Sequence, residues 1–201
     1  IEQELPAFLA KPNESDTVYV FVSMHGLQIP QLVQEGGSGT YLLPSDFNPD
    51  ELKETTIDIQ WLRDALQAGR ARTTVLILDA CHSGGIYKTE ELTTVKHEPF
   101  SIKSVRSVFE APDEQPHRRS IYVLSSCGPA ESSVEVPRLK HGIFTYWLLC
   151  GLDGAADLDH DTTITMDELF RFVSQHVPKM AAYFRSKTGE PYSQHPERFL
   201  C

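Results

Sequence analysis

The sequence predicts an α/β protein with a mostly parallel central sheet flanked by helices. Two runs carry that prediction: Val18-Tyr19-Val20-Phe21-Val22 and Val75-Leu76-Ile77-Leu78. Both are apolar and rich in β-branched or aromatic residues, the composition of strands buried inside a parallel sheet. Between them Ile57, Trp61, Leu62, Ala65 and Leu66 fall on one helical face that ends near Gly69. That order, strand, loop, helix, strand, is a right-handed crossover.

Each run ends in small residues and then a reactive side chain. The first continues Ser23-Met24-His25-Gly26 and the second Asp79-Ala80-Cys81-His82-Ser83-Gly84-Gly85. In open α/β sheets ligands bind past the carboxyl ends of the strands. Glycines there permit a sharp exit and close backbone approach. A cysteine needs a base or cation nearby to populate its thiolate, and histidine titrates in the right range to serve. From the residues alone, Cys81 reads either as a nucleophile partnered by His25 or as a buried cysteine beside a turn.

The two motifs resemble the His-Gly and Asp-x-Cys-His-Ser-Gly signatures of metacaspases and bacterial caspase-like proteases, in the peptidase family of caspases and paracaspases. The upstream histidine lies near the roughly fifty-residue separation known for caspases. The likeness runs from about Ile1 to about Val177. It takes in Tyr41-Leu42-Leu43-Pro44-Ser45-Asp46, Ser125-Ser126-Cys127-Gly128 and His141-Gly142-Ile143-Phe144-Thr145. Met24 departs from it, standing where many relatives carry glycine. The resemblance implies a caspase-like three-layer sandwich in one domain over residues 1–201. Residues 1–87 would be the large-subunit-like part, 88–119 a linker loop, and 120–201 the small-subunit-like part.

Taken in order, Ile1, Leu5, Phe8 and Leu9 have helical spacing, with Pro6 delaying or kinking the helix. A turn at 12–16 leads into the His25 strand. Residues 26–39 read as a loop and Thr40 to Pro44 as a short strand. Tyr87 to Arg119 is polar and carries three prolines, so it reads as a long connection. In caspase relatives this stretch is the linker that is often self-cleaved. Lys88, Lys96, Lys103, Arg106, Arg118 and Arg119 would be its basic cut sites. Ser120 to Ser125 is a further buried strand, and Cys127 to Pro137 a loop at the same sheet edge. Residues 142–152 and 169–177 each carry an apolar helix face, and 181–201 reads as a surface tail or lid.

Composition narrows the class. The 201 residues suit one domain, with 40% hydrophobic and 23% charged residues and no apolar run long enough to span a membrane. A net charge of −10 argues against nucleic acid and anionic membranes as partners, and leaves protein or peptide as the substrate. Four widely spaced cysteines argue for a reducing, cytoplasmic setting rather than a disulfide framework.

The resemblance assigns Cys81 as nucleophile, His25 as general acid/base, and the backbone N–H groups of Gly26 and Cys81 as the oxyanion donors. His82 is a competing base, but as Cys81's sequence neighbour its side chain diverges from the thiol. In metacaspase-like relatives the aspartate two before the cysteine, here Asp79, pairs with arginine or lysine at P1. Ser23, two before His25, lines the same pocket. Period-two alternation puts Ser23 with His25 and Asp79 with Cys81. Caspases that cut after aspartate need arginines in this pocket, and neither motif contains one. The expected activity is a cysteine endopeptidase cutting after Arg or Lys, with an idle caspase-like interaction module as the alternative.

No cofactor is expected for that reaction. A separate acidic turn puts oxygen ligands at positions 1, 3, 5, 7, 9 and 12 of a calcium loop, with Asp157, Asp159, Asp161 and Glu168 as the acidic ones and Thr162 in place of the usual glycine. It reads either as a calcium site or as a plain turn with Thr165 capping the next helix. Finally, relatives begin with a central strand, whereas nothing before Val18 reads as one. A separate N-terminal fragment is therefore expected to supply the first strand, and for an enzyme with a basic P1 preference the cut before Ile1 would be its own.

Overall fold

The computed structural model describes residues 1–82, 97–112, 119–129, 131, 133–189 and 193–201, with Cys81 and His82 described in their backbone alone. The chain opens with helix α1 (Glu4–Leu9), in which Pro6 sits within the first turn. Strand β1 (Thr17–Gln28) then runs past His25, so the segment expected to be a loop from Gly26 is at first still strand. A short helical turn α2 (Pro30–Val33) leads to β2 (Thr40–Leu43). Another, α3 (Leu52–Thr55), precedes β3 (Ile57–Asp58) and helix α4 (Ile59–Ala68). Asp58 caps α4 by accepting from the Gln60 N–H, and Gly69 closes it.

Strand β4 (Thr73–His82) delivers Asp79 and Cys81. Within the expected linker loop, the described residues contain β5 (Glu98–Pro99) and helix α5 (Ile102–Phe109), whose Ile102, Val105 and Phe109 are buried. The loop reading therefore fails over α5. Strand β6 (Ser120–Ser125) follows, then a hairpin of β7 (Glu135–Val136) and β8 (His141–Gly142), and helix α6 (Ile143–Cys150). Helix α7 (Met166–Thr188) starts at a reciprocal cap between Thr165 and Glu168. It ends at Gly189, whose φ of 76° suits a residue without Cβ. The last strand, β9 (Glu197–Leu200), corrects the reading of 181–201 as a surface tail: the last eight residues of α7 and a paired strand occupy much of it.

The main sheet has the order β3-β2-β1-β4-β6-β9, with β5 pairing β1 beyond the end of β4. The three central strands β1, β4 and β6 are parallel, and the flanking strands pair antiparallel. Alternation along the central strands makes two cores. Leu76 and Leu78 of β4 and Ile121 and Val123 of β6 pack against Leu9, Leu62, Leu66, Val105 and Phe109 of α1, α4 and α5. Val75 and Ile77 of β4 and Leu124 of β6 pack against Phe144, Leu148, Leu169, Val173 and Val177 of α6 and α7. The result is the three-layer α/β sandwich, with all of Val75-Leu76-Ile77-Leu78 buried as an inner strand demands.

One edge is open. Residues 17–24 of β1 pair β4 on one side, while β2 covers only 25–28 on the other. Tyr19 and Phe21 on this stretch are 60% and 49% exposed. Among the described residues no strand pairs that edge. Because Leu78 is fully buried in the inner strand, Leu78→Ala should lower the unfolding free energy by about 2–5 kcal/mol. Urea unfolding checks this; an unchanged midpoint would contradict the inner position of β4.

Candidate active site

Parallel pairing of β1 and β4 fixes the site. In their register Ser23 lies beside Asp79, Met24 beside Ala80, His25 beside Cys81 and Gly26 beside His82. The catalytic pair expected from sequence therefore occupies adjacent positions at one sheet edge, with the side chain of Cys81 outside the described residues. That of His82 is outside them too. On its other side His25 faces Leu43 of β2. Gly26 is tightly constrained: a Cβ there would lie 2.3 Å from the Phe100 ring. The glycine thus lets Phe100 pack directly on the backbone that is expected to supply an oxyanion donor.

A cavity of 870 Å³ opens at this edge, and Ser23, His25 and Asp79 all line it. Met24 lines it too, while also packing into the α4-side core. Asp79 is 7% exposed. Its carboxylate accepts from Ser133 Oγ at 2.6 Å through Oδ1 and from Thr145 Oγ1 through Oδ2. Two hydroxyls thereby fix the plane of the carboxylate, and each oxygen retains a lone pair for a further donor. Gly142 faces the same group: a Cβ there would stand 3.2 Å from Asp79 Oδ2, so glycine keeps the approach open. Two further carboxylates, Asp46 and Glu135, line the cavity, and no lysine or arginine does so among the described residues.

Sequence reasoning missed Ser133, Glu135, Thr145 and Gln194. Thr145 lay inside a recognised motif, and Ser133 and Glu135 lay in the loop placed at the correct sheet edge. Gln194 gave no signal: it sits in polar sequence yet is fully buried. The loop between β6 and β7 is held by Glu131. Its carboxylate accepts from the N–H groups of Gly128 and His195 at 3.1 and 2.7 Å, and from Ser193 Oγ at 2.7 Å. His195 Nδ1 lies 2.6 Å from Glu131 Oε1.

Two of the other described cysteines, Cys127 and Cys201, are poor nucleophiles. Burial pushes the Cys127 thiol up to about 12 and the Cys201 thiol to about 11. Cys127, Cys150 and Cys201 form no disulfide.

At the acidic turn, ligand atoms of Asp157, Asp159 and Asp161 lie within 4.8 Å of one another. Glu168 is turned away to its own helix cap, accepting from the N–H and Oγ1 of Thr165 and from the Leu158 N–H. Those Thr165 hydrogen bonds hold its carboxyl below the ordinary range. Thr162, at the glycine position, has φ of 71°. Three of the four expected ligands are therefore gathered, and the twelfth-position carboxylate is engaged elsewhere.

A caspase domain model matches residues 1–199, and the chain belongs to that family of peptidases. A curated relative, described as a probable protease of a Desulfuromonadales bacterium, is 23% identical over 203 residues. The match covers 96% of this chain and 23% of the relative, so the chain spans about a quarter of that protein's length. The crystal structure of protein GSU0716 from Geobacter sulfurreducens has a similar fold, with a TM-score of 0.58 at 16% identity over 100% of this chain and 71% of that one. No helix among the described residues is long and apolar enough to cross a membrane.

Burial draws the Glu131 carboxyl upward, but hydrogen bonds from His195 and Ser193 outweigh it and hold the group below its ordinary value of 4.5. A carboxyl lowered by folding adds stability above its unfolded pKa and loses it as pH falls through the folded one. Glu131→Gln should therefore flatten the loss of stability between pH 7 and pH 3. Parallel urea-midpoint profiles for the variant and the parent would refute this role.

Proposed function

We propose that this domain is a cysteine endopeptidase in which a Cys81–His25 dyad cleaves peptide bonds after arginine or lysine. One observation carries the reading: His25, the register neighbour of Cys81, shares a cavity with a buried, doubly hydrogen-bonded Asp79, and among the described residues that cavity is lined by further carboxylates and by no lysine or arginine. In this mechanism the Cys81 thiolate attacks the P1 carbonyl carbon. The carbonyl π electrons move to oxygen, where the N–H groups of Gly26 and Cys81 receive the charge. Collapse of the tetrahedral intermediate breaks the C–N bond, and His25 gives its proton to the departing amine. Neutral His25 then takes a proton from water, which attacks the thioester, and the thiolate leaves. Asp79 receives the P1 cation, with a guanidinium favoured by its paired donors, and Ser23 lines the pocket beside it.

Self-processing in the linker would use Lys88, Lys96 or Arg118, which lie outside the described residues. Lys103 and Arg106 sit in α5, a closed helical backbone, and Arg106 also pairs with Glu197 at 3.2 Å. The three unpaired thiols suit a reducing compartment such as the cytoplasm. The reaction assigns no step to a metal. A calcium ion at Asp157, Asp159 and Asp161 would be structural, and Glu168 would have to leave its cap to join it. The partner proposed for the open edge of β1 is an extended strand from a separate N-terminal fragment. The support is eight consecutive uncharged residues, 17–24, with no Pro and, among the described residues, no strand paired to that edge.

Cys81→Ala and His25→Ala should each abolish hydrolysis of Arg and Lys fluorogenic peptides while retaining the folded signal. Asp79→Asn should lose cleavage after Arg by about a hundredfold or more, the scale of an unpaired buried charge. Activity in Cys81→Ala, or a wild-type preference for Asp or Leu at P1, would overturn the assignment. An inactive wild type would favour the interaction-module alternative.

The strand partner has its own check in hydrogen exchange. Once the edge is occupied, the outward-pointing amides of residues 17–24 should be protected from exchange. Equal exchange with and without the proposed N-terminal fragment would remove that partner.

A further inference from the structure

We infer that Gln194 is a positioning residue for the P1 pocket, aiming the Ser133 hydroxyl at Asp79 and so setting the carboxylate that meets the substrate's cationic side chain. The inference rests on the pocket reading proposed above. It begins with the burial of Gln194, which is 0% exposed in a polar segment remote from the pocket in sequence. Its Oε1 accepts from the Val134 N–H at 3.0 Å, and its Nε2 donates to the Ser126 carbonyl at 3.0 Å and to Ser133 Oγ at 3.2 Å.

Those backbone partners settle which way the amide faces. Turned over, the amide would set Oε1 against the Ser126 carbonyl and Nε2 against the Val134 N–H, two acceptors and two donors in contact. Nε2 must therefore donate to Ser133. Ser133 Oγ accepts that N–H, and because a carboxylate oxygen only accepts, the hydroxyl's single proton points to Asp79 Oδ1, at 2.6 Å. Thr145 Oγ1 fixes the other oxygen from α6. The relay is buried along its length: Gln194, Ser126, Ser133 and Asp79 are all buried. In such surroundings a misdirected hydroxyl leaves a polar atom unsatisfied. Gln194 also ties together the end of β6 and the loop that carries Glu135 into the cavity. The adjoining residues are anchored too, since Ser193 and His195 both bond Glu131.

The test measures binding, so that it stands apart from catalysis. A labelled peptide with arginine at P1, and a matched peptide with norleucine there, are titrated against Cys81→Ala protein by fluorescence polarisation. Adding Gln194→Met, which keeps side-chain length without the amide, should weaken the arginine peptide by about tenfold, the worth of one hydrogen bond to a charged group, and leave the norleucine peptide unchanged. Ser133→Ala, a small change with its own folding check by melting curve, should do the same. The double variant should be no worse than either single one, because both cut one relay. Equal loss for both peptides, additive effects, or undiminished arginine binding in folded variants would overturn the inference while the proposed cleavage still stands. Failure of Cys81→Ala to prefer the arginine peptide at all would overturn the pocket reading and the inference together.

Discussion

The parallel register between β1 and β4 is the constraint on which the site depends. It places Ser23 beside Asp79 and His25 beside Cys81. A slip of one residue would carry each strand's alternate side chains to the opposite face. If β1 slipped, Ser23 would then meet the α4-side core and Val22 would be pushed toward the cavity, while Asp79 stayed in place through the pairing of β4 with β6. The register is secured by what the two faces bury, Val18, Val22, Leu76 and Leu78 on one side and Val75 and Ile77 on the other. The core that stabilises the fold is thus also the device that aligns the dyad positions.

A second constraint follows from burying a carboxylate beneath the cavity. An uncompensated buried charge is costly, and Asp79 is compensated by two hydroxyls from elements distant in sequence. Neither donor is cationic, so these two partners hydrogen-bond the carboxylate without neutralising its charge. A structural ion pair would have filled the same role and consumed the charge. That difference suits Asp79 to recognition of a positive side chain brought by the substrate.

What could be read from the sequence was local. His25, Ser23, Asp79 and Cys81 stood out because each sits where an apolar run of strand-forming residues stops, and period-two alternation alone groups them. The inner strands and α4 followed from the same patterns. Helix α5 was hidden because Ile102, Val105 and Phe109 are only three buried positions among charged neighbours, in a two-turn helix whose amphipathic stripe is narrow. Strand β9 was hidden because it is four residues long, Glu-Arg-Phe-Leu, and acquires strand character by pairing with β6. At the acidic turn the spacing of ligands was visible, but the competing demand of the α7 cap for Glu168 was not.

Gln194 marks the limit of local reading most sharply, because none of its three partners is near it in sequence. Yet its position follows from the sheet. Strand β9 pairs with β6 from Ser125↔Glu197 onward, which brings residues 193–196 back across the carboxyl end of β6, where Ser126 turns away. At that point the chain crosses the stretch linking β6 to the β7–β8 hairpin, which contains Ser133 and leads into Glu135 of β7. An edge strand that looks remote from the reaction thus sets the place where its preceding residues can hold the pocket loop. The C-terminal segment belongs to the site through sheet pairing, and the amide of Gln194 makes its hydrogen bonds inside the protein rather than with water.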